Sequence, residues 1–331
     1  MAVDTTKNNR DDLFVIAEYN AENAERIGYS NYSYWRSVFH NFMKKKSAVF
    51  MAIVFFILVI FTFVAIRIGP WGLEEGCANE FGAYTHSYSK AKFALPSWWP
   101  TAAQVSKDRK LWFGADNLGR DYWVQVWSAT QTSIKLAMIV AVGEGILGVI
   151  LGCIWGYIRA LDRFFTELYN IITNVPSVIR LTLVGMFFGR SFFVMATALI
   201  LFGWLAMARN VRNLVLMYRD REYNLASRCL GTPVGRVLSK NVLPYLVSVI
   251  MLRTALSVPG TIALETTLSY LGLGMDASTP TLGGLLRDAR SMFLTFPHLL
   301  IFPAVIVSVI TITFYLVGNA FSDAADPRNH V

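Results

Sequence analysis

Glu144, Arg180 and Arg253 are ionisable groups set inside long apolar runs of this 331-residue sequence. A charge at mid-membrane costs about 2.5–3.5 kcal/mol or more unless it faces protein or a water-filled space. Counting along the runs places Glu144 and Arg253 near mid-depth and Arg180 in the outer third. Two arrangements would satisfy them. Glu144 can form a structural pair with one of the arginines, or at least one of the three can line an interior cavity and meet polar groups there. Both require that none faces lipid.

A second informative stretch is polar and basic, from Glu222 to Pro233. Tyr223, Ala226 and Leu230 fall on one helical face, and Cys229 lies beside it. Gly231 is placed to end the helix in the left-handed conformation. Thr232 can cap a second helix with Pro233 at its first position. The spacing predicts a helix over 222–232, a sharp turn and a second helix leading into the next span. Such an element suits partner docking; the plainer alternative is a solvated linker. Catalytic patterns are missing: the sequence has no phosphate-binding G-x-x-x-x-G-K-[ST], no H-E-x-x-H and no G-x-S-x-G. The four histidines are scattered, and Cys77, Cys153 and Cys229 show no metal spacing. A membrane enzyme would need polar residues clustered at one depth, which this spacing does not supply.

The elements that carry these residues follow from composition. Hydrophobic residues make up 54% of the chain and charged residues 16%, against about 25% charged in soluble domains. Six apolar runs are long enough to span a bilayer: 47–66, 133–157, 165–187, 192–208, 243–265 and 296–320. The first begins too deep for a signal peptide and reads as an uncleaved span. The net charge of +8 sits mostly beside these runs, as membrane orientation requires, which argues against nucleic-acid binding. The basic loop after residue 208 puts both termini in the cytoplasm by the positive-inside rule. The expected organisation is a cytoplasmic segment 1–46, a first span 47–66, an extracytoplasmic loop 67–130, a five-helix domain 131–321 and a cytoplasmic tail 322–331. Tyr32, Trp35, Val38, Phe39 and Phe42 form an apolar stripe ending in three lysines. That pattern suits a helix lying in the inner interface, or a soluble helix packed on a partner. Gly148, Gly152 and Gly156 give the second span a flat stripe for close helix packing. Pro176, Pro259 and Pro303 interrupt later spans.

The order Ala226, Gly231, Leu243-Pro244 resembles the EAA loop of bacterial ABC-importer permeases. Two further segments are similar to the dipeptide/oligopeptide branch of that family: Phe113-Gly114-Ala115-Asp116-Asn117-Leu118-Gly119-Arg120-Asp121, and Glu265-Thr266-Thr267-Leu268-Ser269-Tyr270-Leu271-Gly272-Leu273-Gly274, with Asp323-Ala324-Ala325-Asp326-Pro327-Arg328 closing the match. Leu225 stands where the family has Glu, Ser227 at its second Ala and Asn241 at its Ile; the helix–Gly–helix shape is retained. The resemblance implies an all-α polytopic membrane protein with the type I ABC-importer permease fold and six transmembrane helices, in the bacterial inner membrane. It implies as partners a homologous second permease, two cytoplasmic ATPases holding ATP and Mg, an extracytoplasmic substrate-binding protein and a peptide substrate, with no cofactor in this chain. Tyr223, Ala226, Cys229, Leu230 and Gly231 would form the coupling helix. Glu144, Arg180, Arg253 and Glu265 would be candidates for the translocation pathway, where a charge could meet peptide termini or backbone. Nickel, an opine or glutathione remain alternative cargoes of the same branch. A passive channel or membrane sensor would share the hydropathy but has no need of the EAA-like loop.

Overall fold

The computed structural model describes residues 34–68, 93–98, 111–276 and 279–325. Val38–Val331 form one compact unit; the other, Met1–Ser37, lies almost wholly outside the described residues. Among the described residues the regular structure is helical, apart from one isolated bridge between Ala115 and Asp121.

Helix α1 (Tyr34–Lys44) leads into α2 (Lys46–Ile68). The apolar stripe expected near residue 35 is divided: Val38 and Phe42 are buried, while Phe39 is exposed. The Phe42 ring packs against Phe321, 5.8 Å between centroids. The side chains of Tyr32 and Trp35, and Cys77 with most of the 67–110 stretch, lie outside the described residues. Helix α2 has 23 residues and so runs about 34 Å, enough for a hydrocarbon core of about 30 Å.

The segment before the second span folds on itself. Gly114 and Gly119 adopt φ of 81° and 78°. Asp116 Oδ1 accepts the N–H groups of Leu118 and Arg120, and its Oδ2 accepts from Arg120 Nε and Gln125 Nε2. A Cβ at Gly114 would lie 2.4 Å from the Ala94 carbonyl oxygen, so this position needs glycine for its space as well as its φ. Asp121 then caps α3 (Tyr122–Tyr157) by accepting the Trp123 N–H at 2.9 Å, and burial lifts its carboxyl to about 6. The helix thus starts within the 67–130 stretch that hydropathy assigns to a loop. Its first turns carry buried polar residues, Gln125, Ser128 and Thr130, which break the apolar run without breaking the helix.

The 165–187 run is not one straight span. It divides into α4 (Arg159–Asn174) and α5 (Ser177–Phe188), bent by 83°. Pro176 has no N–H to continue the ladder and forces Val175 into an extended conformation (φ −88°, ψ 125°). Helix α4 is amphipathic and buries none of its residues. It is held by Arg212, whose Nε and Nη2 donate to the two Asp162 oxygens at 2.6 and 3.0 Å. Helix α5 has 12 residues, about 18 Å, too short to cross alone.

Helix α6 (Phe192–Arg219) follows, then α7 (Glu222–Cys229). A short turn, α8 (Val234–Arg236), passes through a π-helical segment (Val237–Val242) into α9 (Leu243–Tyr270). The π register has a local cause: Pro244 cannot donate to the carbonyl four residues back, and the Leu243 N–H bonds to Leu238, five residues back. Helix α10 (Leu282–Arg290) and α11 (His298–Ala325) complete the described chain.

Five helical segments are long and apolar enough to span a membrane, and the bent α4–α5 pair makes a sixth where the two halves are taken as one span. This is an all-α polytopic membrane protein. Helix α3 packs along α6, while α9 lies against α3 and α11. The glycine stripe makes the α3–α6 contact: a Cβ at Gly148, Gly152 or Gly156 would come within 2.5–2.8 Å of Met207, Ala208 or Val215 on α6.

Candidate functional site

Helices α3, α5, α6 and α9 line an open-sided cavity of about 390 Å³ whose wall contains Glu144, Arg180 and Arg253. The three charges singled out in the sequence therefore converge, although they lie on three different helices. Glu144 does not pair with either arginine among the described residues; its Oε2 accepts from Ser257 Oγ on α9 at 2.7 Å. Gly203 on α6 makes the position possible, because a Cβ there would lie 1.6 Å from Glu144 Oε1. Arg180, in the first turn of the half-helix α5, sets its guanidinium 5.0 Å from the centre of the Phe202 ring. Its Nε and Nη1 are buried and make no hydrogen bond. Arg253 forms no ion pair or hydrogen bond among the described residues and is exposed towards the cavity.

Glu265, the fourth candidate, is elsewhere. It is fully buried and accepts from Ser269 Oγ and Thr281 Oγ, each at 2.7 Å. Thr281 is itself the N-cap of α10, accepting the Gly284 N–H. The carboxyl group thus ties α9 to the start of α10, and it does not line the cavity. The glycines around it serve that hub. A Cβ at Gly283 would lie 2.7 Å from Glu265 Oε2, and one at Gly274 would lie 2.1 Å from Ser269 Oγ. Sequence reasoning missed Gly203, Ser257 and Phe202 as wall residues. All three sit in apolar runs, and nothing local marks which helix they face.

At one end of the bundle, α7 is inserted between α6 and the segment that becomes α9. It ends at Cys229 with Leu230 as C-cap, and Gly231 takes φ 76°. The Thr232 N–H bonds to Ser227 O and the Gly231 N–H to Arg228 O, the paired bonds of a Schellman motif. Thr232 is therefore spent on closing α7; Pro233, without a side-chain bond, stands at the N-cap of α8. The second helix leads into the following span as expected, and does so without a break, through the π-helical segment. Tyr223 lies against Tyr245, 6.3 Å between ring centres, and partial burial pushes its hydroxyl pKa up. Asn224 is fully buried and donates to Tyr218 O, fixing α7 to the end of α6. Ala226, Cys229 and Leu230 face outward; Leu230 is 86% exposed. No group of three His, Cys, Asp or Glu side chains among the described residues could hold a metal ion.

Comparison with known proteins places these features in a family context. Residues 148–331 match the model of the binding-protein-dependent transport system inner membrane component, and residues 33–80 match the N-terminal TM domain of oligopeptide transport permease C. The chain is 33% identical to the oligopeptide transport system permease protein AmiD of Streptococcus pneumoniae, over 93% of this chain and 94% of that protein. It is 31% identical to the oligopeptide transport system permease protein OppC of Bacillus subtilis, over 96% and 97%. Identity to the dipeptide transport system permease protein DppC of Lactococcus lactis is 28%, over 96% and 97%.

Proposed function

The chain belongs to the family of binding-protein-dependent transport system inner membrane components, and from that premise we propose that it forms half of the path by which an ATP-driven importer carries di- and oligopeptides into a bacterial cell. It is a transport component rather than a catalyst. ATP and Mg are bound by two ATPase subunits, a homologous permease supplies the other half of the path, and an extracytoplasmic binding protein delivers the peptide.

One observation carries this reading: α7 is joined at both ends to helices that form the cavity wall. Helix α6 brings Phe202 and Gly203 to the cavity and ends two residues before α7; α9 brings Arg253 and Ser257 and begins from the turn after it. A partner that displaces α7 therefore moves two walls of a charged intramembrane cavity together. Tyr223 and Asn224 anchor α7 to its neighbours, leaving Ala226, Cys229 and Leu230 for the ATPase surface. The test is reconstitution. The chain should co-purify with two ATPase subunits, and proteoliposomes holding the complex and its binding protein should accumulate labelled peptides only with ATP. Uptake without ATP would point to a passive channel, and ATP-driven uptake of nickel but no peptide would reassign the cargo.

In this reading both termini and α7 are cytoplasmic, and the 67–130 stretch is outside. An impermeant maleimide added to intact cells should label a variant keeping only Cys77 and should leave one keeping only Cys229 unlabelled until the cells are opened and the ATPases are stripped from the membrane. Cys229 is a free, exposed thiol, so its protection would reflect the membrane and not burial in this chain. The reverse labelling pattern would overturn the orientation.

A further inference from the structure

The cavity wall holds two guanidinium groups and one carboxylate, and the protein itself satisfies little of their bonding capacity. Glu144 has one hydrogen bond, to Ser257. Arg180 has two buried nitrogens with no acceptor, and Arg253 has no partner among the described residues. Opposite charges that could neutralise one another are instead kept apart by specific devices. Gly203 leaves room for the Glu144 carboxylate to lie across α6, Ser257 holds it from α9, and Phe202 takes the face of Arg180. A charge kept unpaired inside a membrane protein needs a partner at some stage of function. The solute that suits this wall carries both signs at once.

We propose that the cavity recognises the two ends of the peptide, Arg180 taking the C-terminal carboxylate and Glu144 the N-terminal ammonium. The inference rests on the peptide reading above and deepens it. Arg180 is the anion site rather than Arg253 because its guanidinium is partly desolvated and oriented on an aromatic face, so its field is less screened than that of an exposed side chain. Gly203 and Ser257 are positioning residues for Glu144.

The experiment uses the complete reconstituted complex and three forms of one tripeptide: free, C-terminally amidated and N-acetylated. Binding of each to the extracytoplasmic binding protein is measured separately, and transport is compared at equal loading. The wild-type complex is expected to carry the free peptide about tenfold faster than either blocked form, the scale of a lost charge-assisted hydrogen bond. Arg180→Gln should erase the preference over the amide and keep the preference over the acetylated form. Glu144→Gln should do the opposite, and Gly203→Ala should behave like Glu144→Gln because its Cβ displaces that carboxylate. Arg180→Lys, which keeps the charge, should keep the preference over the amide. Equal rates for all three peptides in the wild-type complex would overturn the proposal without any variant needing to assemble; so would an Arg180→Gln complex that still favours the free carboxylate. Failure of the peptide reading itself looks different: no form of the peptide is carried at all.

Discussion

Replacing Gly231 by valine is expected to lower peptide import about tenfold while the chain still inserts and assembles with its ATPases. Gly231 has φ 76°, and no atom lies within 4 Å of where a Cβ would stand. The cost is therefore in the backbone and not in crowding. A left-handed conformation costs an ordinary L-residue about 1–2 kcal/mol, and a β-branched residue resists it most. Valine would relieve that strain by giving up the Thr232–Ser227 and Gly231–Arg228 bonds that close α7. The helix end, with Leu230 and Cys229, would then lose its fixed direction relative to α9. About 1.4 kcal/mol is a factor of ten in an equilibrium, so a strain of this size is enough to depopulate the docked geometry. Import should fall, and ATP hydrolysis should no longer respond to peptide and binding protein. Gly231→Asn is the control, since asparagine tolerates the left-handed region and should retain most activity. Import by Gly231→Val at the wild-type rate, in purified complex of normal composition, would remove α7 from the coupling route.

Gly152→Leu is expected to destabilise the protein strongly. A Cβ at this position would lie 2.6 Å from the Ala208 carbonyl oxygen, 2.8 Å from Val211 Cβ and 3.0 Å from Ala208 Cα. Two of these three atoms are backbone, so no rotamer change on α6 can make room. The helices must separate, and the stripe then loses close contact at Gly148 and Gly156 as well. Overpacking a fitted contact costs about 1–3 kcal/mol, and a rigid backbone partner puts this site at the upper end. In detergent-solubilised protein the change should lower the Tm by about 5 °C or more and reduce the amount of protein in the membrane. Gly145→Ala on the same helix is the comparison: its Cβ would meet Thr254 Oγ1 at an ordinary 3.4 Å, and alanine is the better helix former. Its Tm should be unchanged or raised. Equal Tm for Gly152→Leu and wild type would mean that the α3–α6 contact is looser than the structure has it.

Much of the fold was legible before any tertiary structure, because the signals are local. Apolar run length marks spans through the chain's own solvation. Gly231 and the glycines of the Phe113–Asp121 segment stand where a side chain would be strained, and the four-residue repeat of Gly148, Gly152 and Gly156 marks a face for close approach. Pro176 breaks its apolar run, whereas Pro259 and Pro303, read the same way, lie inside the continuous helices α9 and α11. The start of α3 was hidden, since buried Gln125, Ser128 and Thr130 resemble a loop by hydropathy; so was the use of Thr232 in closing α7 rather than capping the next helix.

The candidate site was legible only in part. Glu144, Arg180 and Arg253 were visible as costly charges in apolar runs, since that cost belongs to each residue alone. Their partners were not. Whether Glu144 meets an arginine or Ser257, 113 residues away, depends on how far α3, α6 and α9 are rotated and shifted against one another. Glu265, singled out in the family-like segment at the end of its apolar run, has a different role from Glu144, because the turn after α9 brings Thr281 back over it and seals it under α10. The sequence by itself determined which residues are too polar, too small or too constrained to be indifferent to their surroundings. Only the tertiary structure decided which of them face one another, since helix rotation and register are set by packing summed over many distant residues.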